Sequence, residues 1–183
     1  MNIFVLDENP QVAAQMMCDK HVVKMILESA QMLSTAHRVL DGEQYTELSA
    51  NNRRIKRWKS PYKLMEEMLY KASFVGHPCT QWVMENDKNY YWLVEHAYEL
   101  CKEYTRRYGK VHKSEDMISL IRFRKPKNIP IADSITPFAQ AMPEEYKNVN
   151  AVEAYRAYYL GEKTEFAAWN HSDTPAWYQE ELV

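Results

Sequence analysis

Residues 19 to 28 read Asp19-Lys20-His21-Val22-Val23-Lys24-Met25-Ile26-Leu27-Glu28, and the residues on either side decide what they build. Upstream, Asn9 suits a helix N-cap and Pro10 its first turn, where the missing proline N–H would be unpaired anyway. Downstream, Asp41-Gly42 supplies the usual left-handed stop. The spacing therefore predicts one long early helix over about residues 10–40.

At about 100° per residue this helix carries two stripes. Val12, Met16, Val23, Ile26, Ala30, Leu33 and Leu40 form an apolar side. His21, Lys24, Glu28, Gln31 and Thr35 fall roughly opposite, bordered by Met17, Met25 and Met32. A solvated face would repeat Glu and Lys. This mixture suits either the wall of a site or a partly buried helix that satisfies its own polar groups.

The rest of the chain reads as more helix. Only 4 of 183 residues are glycine, and Met, Leu, Ala, Glu and Lys abound. The length fits one well-buried core. The expected architecture is all-α: a single compact domain over residues 1–183 around the long early helix. A short extended arm at Ile3-Phe4-Val5-Leu6 precedes that helix. Further helices are expected from Ser60-Pro61 to about Phe74, from Pro78 to Asn86, from a cap at Asp87 to Gly109, over about 115–123, and from Asn150 onward. Pro126, Pro130, Pro137 and Pro143 make about 124–150 a proline-rich loop.

The formal charge of −2 gives no global attraction to nucleic acid, so any such binding rests on local patches. Two patches interleave cations with aromatics, which suits a phosphate backbone and stacked bases as well as a solvated turn. The first is Arg53-Arg54-Ile55-Lys56-Arg57-Trp58-Lys59, in a stretch that otherwise reads as loop. The second is Arg122-Phe123-Arg124-Lys125-Pro126-Lys127. Cys18, Cys79 and Cys101 show no C-x-x-C spacing, which favours a reducing compartment over a disulfide framework. No apolar run approaches membrane-spanning length and no basic-then-apolar leader precedes Asn9, so the expected location is cytoplasmic.

The histidines are scattered without metal-ligand spacing, the glycines are too isolated to cradle phosphate, and no nucleophile elbow occurs. Neither metal nor cofactor is expected. What remains is Lys24 and Glu28, four residues apart on one helix face. As chemistry, Glu28 is a general acid/base or the stabiliser of an oxocarbenium-like sugar. Lys24 then positions a phosphate, holds the Glu28 charge or forms a Schiff base. As structure, the pair is a surface ion pair of little energetic weight.

Asp19-x-His21-x6-Glu28, with Lys24 between, resembles the pyrimidine dimer DNA glycosylases, the phage endonuclease V group and its bacterial relatives. His77-Pro78 and the closing Pro175-Ala176-Trp177-Tyr178 are similar to family features, and the whole chain resembles a phage branch that carries the same label. The resemblance is specific over roughly the first forty residues. It implies an all-helical enzyme of DNA repair whose partner is duplex DNA with a displaced base, in the host cytoplasm if phage-encoded. It also implies N-glycosylase activity, with or without an AP-lyase step, on damaged or modified pyrimidines.

Under that resemblance Glu28 is the catalytic carboxylate, with Lys24 and His21 beside it. Asp19, Gln31, Thr35 and His77 are further pocket candidates. Arg53, Arg54, Lys56, Arg57 and Arg124 are phosphate contacts, and Trp58 is a wedge or stacking residue. In the phage enzyme the nucleophile is the α-amine of a Thr exposed by methionine removal. Here Asn2, too bulky to favour that removal, follows Met1, so the amine belongs to Met1 or the nucleophile is Lys24 or Lys20. Two rivals are a non-catalytic nucleic-acid-binding module and an enzyme acting on free nucleotides.

Overall fold

In the computed structural model, which describes residues 1–180, Asn9 caps helix α1 (Pro10–Met16). Its side-chain oxygen accepts from the Gln11 and Val12 N–H groups at 2.9 and 3.2 Å. The long helix then turns out to be two. Met17 and Cys18 are extended, with ψ of 138° and 158°, and α2 runs from Asp19 to Asp41.

A break in a buried helix strands peptide groups that must find partners, and here the partners come from far along the chain. The Arg107 guanidinium donates to the Met17 and Gln15 carbonyls at 2.8 and 2.9 Å. Trp169 Nε1 donates to the Met16 carbonyl at 3.0 Å, and the Asp19 N–H donates to the Ala168 carbonyl at 2.9 Å. Arg107, itself fully buried, also pairs with Asp19 and Glu103, each at 3.0 Å. The break resets the helical phase, so one stripe cannot continue across it. Within α2 itself the buried face is shifted from the one expected: Val23 is 40% exposed, while Val22 and Met25 are buried.

The basic loop is a hairpin. β1 (Glu43–Leu48) pairs antiparallel with β2 (Arg54–Lys59), from Glu43 opposite Lys59 to Leu48 opposite Arg54. At its tip Asn52 takes a left-handed conformation, φ 55°, which Asn tolerates better than most residues. Its base is tied to α2 by buried Arg38, which donates to the carbonyls of Trp58, Tyr70 and Leu69 at 2.9, 2.7 and 3.0 Å and to the Glu66 carboxylate at 2.6 Å. The architecture is mostly helical with this two-stranded sheet, rather than all-α.

Next, α3 spans only Lys63–Met68 instead of reaching Phe74. From Leu69 the chain runs back along α2. Leu69 and Tyr70 meet Arg38, Ser73 donates its N–H to the Thr35 hydroxyl at 3.1 Å, and His77 caps α4 (Pro78–Glu85). Asn86, not Asp87, caps α5 (Asp87–Tyr108), which ends at Gly109 with φ 64°. α6 covers Glu115–Ile121, and α7 and α8 cover Ala151–Glu162 and Ala176–Glu180, with a 3-10 turn at Glu144–Tyr146.

The proline-rich segment is a fastened strap. Lys127 and Asn128 N–H donate to the Asp41 carboxylate, Ala132 N–H to Asp87, and Thr136 N–H to the Asn89 side chain. Near its far end the Ala139 carbonyl accepts from the Tyr155 hydroxyl at 2.7 Å. At Gly161 in α7 the Tyr146 side chain packs against the backbone, and a Cβ there, 2.2 Å from its hydroxyl oxygen, would have to turn that ring aside. Ile26, Ala30 and Leu33 of α2 and Leu93, Ala97 and Leu100 of α5 are fully buried, with Val5 and Leu6 of the arm. Each larger one contributes about 1.5–3 kcal/mol of apolar burial.

Candidate functional site

The N-terminal arm lies along α2 and positions the head of the chain. Phe4 stacks on His21 with ring centroids 4.4 Å apart and lies against Tyr155, Tyr158 and Tyr159. Its backbone is left-handed, φ 54°, a cost for a non-glycine residue that the four ring contacts hold in place. Asn2 is fixed by its side chain: Oδ1 accepts the Ile3 N–H at 2.8 Å, and Nδ2 donates to the Ala141 carbonyl of the strap at 2.8 Å.

With the arm so held, the Asn2 N–H donates to Glu28 Oε2 at 2.9 Å, and the Met1 amine lies 3.9 Å from the same oxygen. Lys24 Nζ is 3.5 Å from Oε1. The Glu28 side chain is 15% exposed and that of Lys24 63%, so the carboxylate is mostly sheltered while remaining open to a ligand. His77 Nδ1 accepts the Cys79 N–H at 3.2 Å, which leaves the proton of the neutral ring on Nε2. Burial lowers the His77 pKa, the Met1 ammonium lowers it further, and the Glu28 carboxylate pulls it up. His77 is therefore close enough to feel both members of the pair. A sheltered carboxylate against an amine can take a proton from it or face a cation developing beside it.

The structure thus brings Met1, Lys24 and Glu28 together, with His77 alongside. Gln31, half-exposed, lies one turn further along α2. Thr35 is buried, and its hydroxyl bonds the Gln31 carbonyl at 2.8 Å and the Ser73 N–H at 3.1 Å. His21 is not brought to the carboxylate. It is 4% exposed, and its Nδ1 bonds the Tyr159 hydroxyl. Burial, with Lys163, Lys24 and Lys20 adding to it, holds its pKa down to about 3, so the ring is neutral at ordinary pH. Asp19 is occupied by Arg107 at 3.0 Å and the Asn170 N–H at 2.7 Å.

The hairpin sorts its cations by face. Opposite residues share a face, so Arg54, Lys56 and Trp58 lie with Leu48, Thr46 and Gln44 on a face without a carboxylate. Glu43 and Glu47 lie on the other face with Arg57 and Lys59, and Arg57 is held by Glu47 at 2.6 Å. Arg53 and Arg124 are exposed, whereas Trp58 is half-buried with its carbonyl held by Arg38.

Two residues escaped the sequence reading. Asn2 carries no periodic signal, and its role depends on what the arm packs against. Phe74 sits between Ser73 and His77, 66% exposed, with φ 49°. Its carbonyl is tied to the His77 N–H at 3.0 Å. An aromatic just before Gly76-His77-Pro78 was the available clue.

Fold and site define a mostly helical protein that holds a carboxylate against the head of its own chain. A family model described as pyrimidine dimer DNA glycosylase matches residues 1–117, from the arm into α6, and the chain belongs to that family. Membership implies DNA as the partner. No curated protein and no solved structure matches the chain. Among the described residues no helix is long and apolar enough to cross a membrane, and no group of three or more His, Cys, Asp or Glu is arranged to hold a metal.

Proposed function

We propose that this single helical domain excises damaged pyrimidines from duplex DNA, with Glu28 and the Met1 amine as the reacting pair. The observation that carries this reading is the placement of Glu28 Oε2 between the Asn2 N–H at 2.9 Å and the Met1 amine at 3.9 Å, in a chain of this family. Glu28 takes a proton from the amine, and the amine nitrogen bonds C1′ of the damaged nucleotide as the C1′–N bond breaks. The base nitrogen leaves C1′ with the bonding pair and is protonated, and a dimerised base stays joined to its neighbour. Opening of the sugar ring gives an iminium at C1′, and loss of the 3′ phosphate by β-elimination cuts the strand. Water then releases the sugar fragment and restores the amine. Lys24 holds the Glu28 charge and a neighbouring phosphate.

Arg53, Arg54 and Lys56 hold the flanking backbone. Residues 69–77 run from the hairpin base past Thr35 to His77, which supports one continuous DNA surface from the hairpin to Glu28. Phe74, exposed midway on a pinned turn, fits the displacement of a base from the stack better than half-buried Trp58.

The test is ultraviolet-irradiated duplex with borohydride, using wild type and Glu28→Gln. Glycosidic-bond cleavage, read as strand scission, should fall by roughly 10²–10⁴-fold in the variant with duplex affinity kept, and the wild-type adduct should map to the Met1 nitrogen. Undiminished cleavage in Glu28→Gln removes the carboxylate from the reaction.

A further inference from the structure

A second cleft lies at the other end of α2. His37, one of its lining residues, is nine positions beyond Glu28, hence about 13.5 Å further along the axis and about 180° around it. The cleft therefore lies on the opposite side of the helix from the carboxylate. It encloses about 460 Å³, within the usual range of about 300–1,000 Å³ for small-ligand sites.

Its lining combines two chemistries. Tyr62, Tyr91 and Phe123 supply rings, and Tyr62 and Phe123 are 49% and 82% exposed. Arg124, Lys125 and Lys127 supply a cationic rim. Among the described residues none of these three cations pairs with a carboxylate. The one lining carboxylate, Asp41, is engaged by the Lys127 and Asn128 N–H groups at 2.7 and 2.9 Å. His37 adds no charge at ordinary pH: burial, partly opposed by Asp41, holds its pKa down to about 4, and Nε2 bonds the Tyr90 hydroxyl at 2.7 Å. A bare phosphate would use the rim and leave the rings without a partner. A purely apolar ligand would do the reverse.

We propose that this cleft binds a nucleotide, its base against Tyr62 and Phe123 and its phosphate on Arg124, Lys125 and Lys127. The nucleotide is either free or part of a single strand, and the site acts independently of Glu28. Thymidine monophosphate, thymidine, inorganic phosphate, oligothymidylate and matched duplex are titrated into the full chain, read by amide chemical shifts. The monophosphate should bind one per chain, more tightly than thymidine or phosphate. Phe123→Ala should weaken it about tenfold, and Lys127→Ala should weaken it and flatten its salt dependence. Competition by oligothymidylate assigns the site to single strands; its absence assigns it to free nucleotides. No saturable binding, unchanged affinity in Phe123→Ala, or shifts centred on Glu28 would overturn the proposal. Glu28→Gln should leave this titration unaltered, so this reading and the glycosylase reading fail separately.

Discussion

Acid should weaken this fold between pH 6.5 and 5, because three of its histidines are held deep in the neutral form. Burial holds His96 down to about 3, His21 to about 3 and His37 to about 4, against 6.5 for a free ring. Each binds fewer protons folded than unfolded, so its contribution is complete above pH 6.5. It is lost as pH falls from 6.5 toward the folded values, at about 1.4 kcal/mol per pH unit per ring. At pH 5 each ring has cost about 2 kcal/mol, and the three together about 6 kcal/mol. That is a large part of the roughly 5–15 kcal/mol of a typical domain.

Carboxylates act lower on the scale. Burial alone would raise Glu103, but Arg106 and Arg107 outweigh it, and the Ser60 N–H and Arg38 do the same for Glu66, so both titrate below 4.5. Urea unfolding at half-unit steps from pH 7.5 to 5 isolates the histidine window. Its slope should reach at least three protons, with His77 and His112, also lowered by burial, adding to it. His96→Leu should lower that slope by about one and raise stability at pH 5, since both His96 ring nitrogens are buried without a partner. A flat profile, or an unchanged slope in His96→Leu, would refute the reasoning. The same slope bears on His21, because a ring that stays neutral cannot serve as a cationic phosphate contact.

Arg107→Met should cost about 3–5 kcal/mol, since it removes the buried guanidinium from two carboxylates and two carbonyls at the α1–α2 break. At about 2–4 °C per kcal/mol for a chain this long, the melting temperature should fall by roughly 6–20 °C. Arg54→Ala with Lys56→Ala should reduce the salt slope of duplex binding by about 2, and Arg57→Ala, whose charge Glu47 already holds, should not. Phe74→Ala should depress glycosidic-bond cleavage in matched duplex while sparing a substrate with the lesion in a bubble; equal loss on both would remove Phe74 from base displacement.

What the sequence revealed were local signals: the Asn9-Pro10 start of α1, the Gly109 stop of α5 and the Asn150 cap of α7, each a short-range choice between backbone partners. What it hid depended on distant partners. Nothing near Met17-Cys18 announces a break, because the groups that make it tolerable are Arg107, Ala168 and Trp169. The hairpin lacked alternation because most of its residues face solvent on both sides, and the Asn51-Asn52 turn was its one local clue. Of the polar stripe drawn on α2, Lys24 and Glu28 lie together at the arm, whereas His21 and Thr35 are buried against Tyr159 and Ser73. Periodicity tells which residues share a face but not what covers it, and the arm covers this one with Phe4 at His21 and Asn2 at Glu28.

That covering also makes the identity of the nucleophile testable by geometry. The Met1 amine stands 3.9 Å from Glu28 Oε2 because Asn2 is tied on both sides, to Glu28 through its N–H and to Ala141 through its side chain. One residue added ahead of Met1 leaves both ties intact, converts the Met1 nitrogen to an amide and moves the free amine up to about 3.5 Å away. A displacement of even 1 Å from a reacting centre costs about 100-fold, so glycosidic-bond cleavage and borohydride trapping should both fall by at least that factor. Duplex affinity should stay unchanged, because the hairpin cations and Phe74 are untouched. Lys24 gives the opposite result: its Nζ lies 3.5 Å from Oε1 whatever precedes Met1, so an extended chain that still traps substrate at full rate would move the nucleophile from the arm to α2.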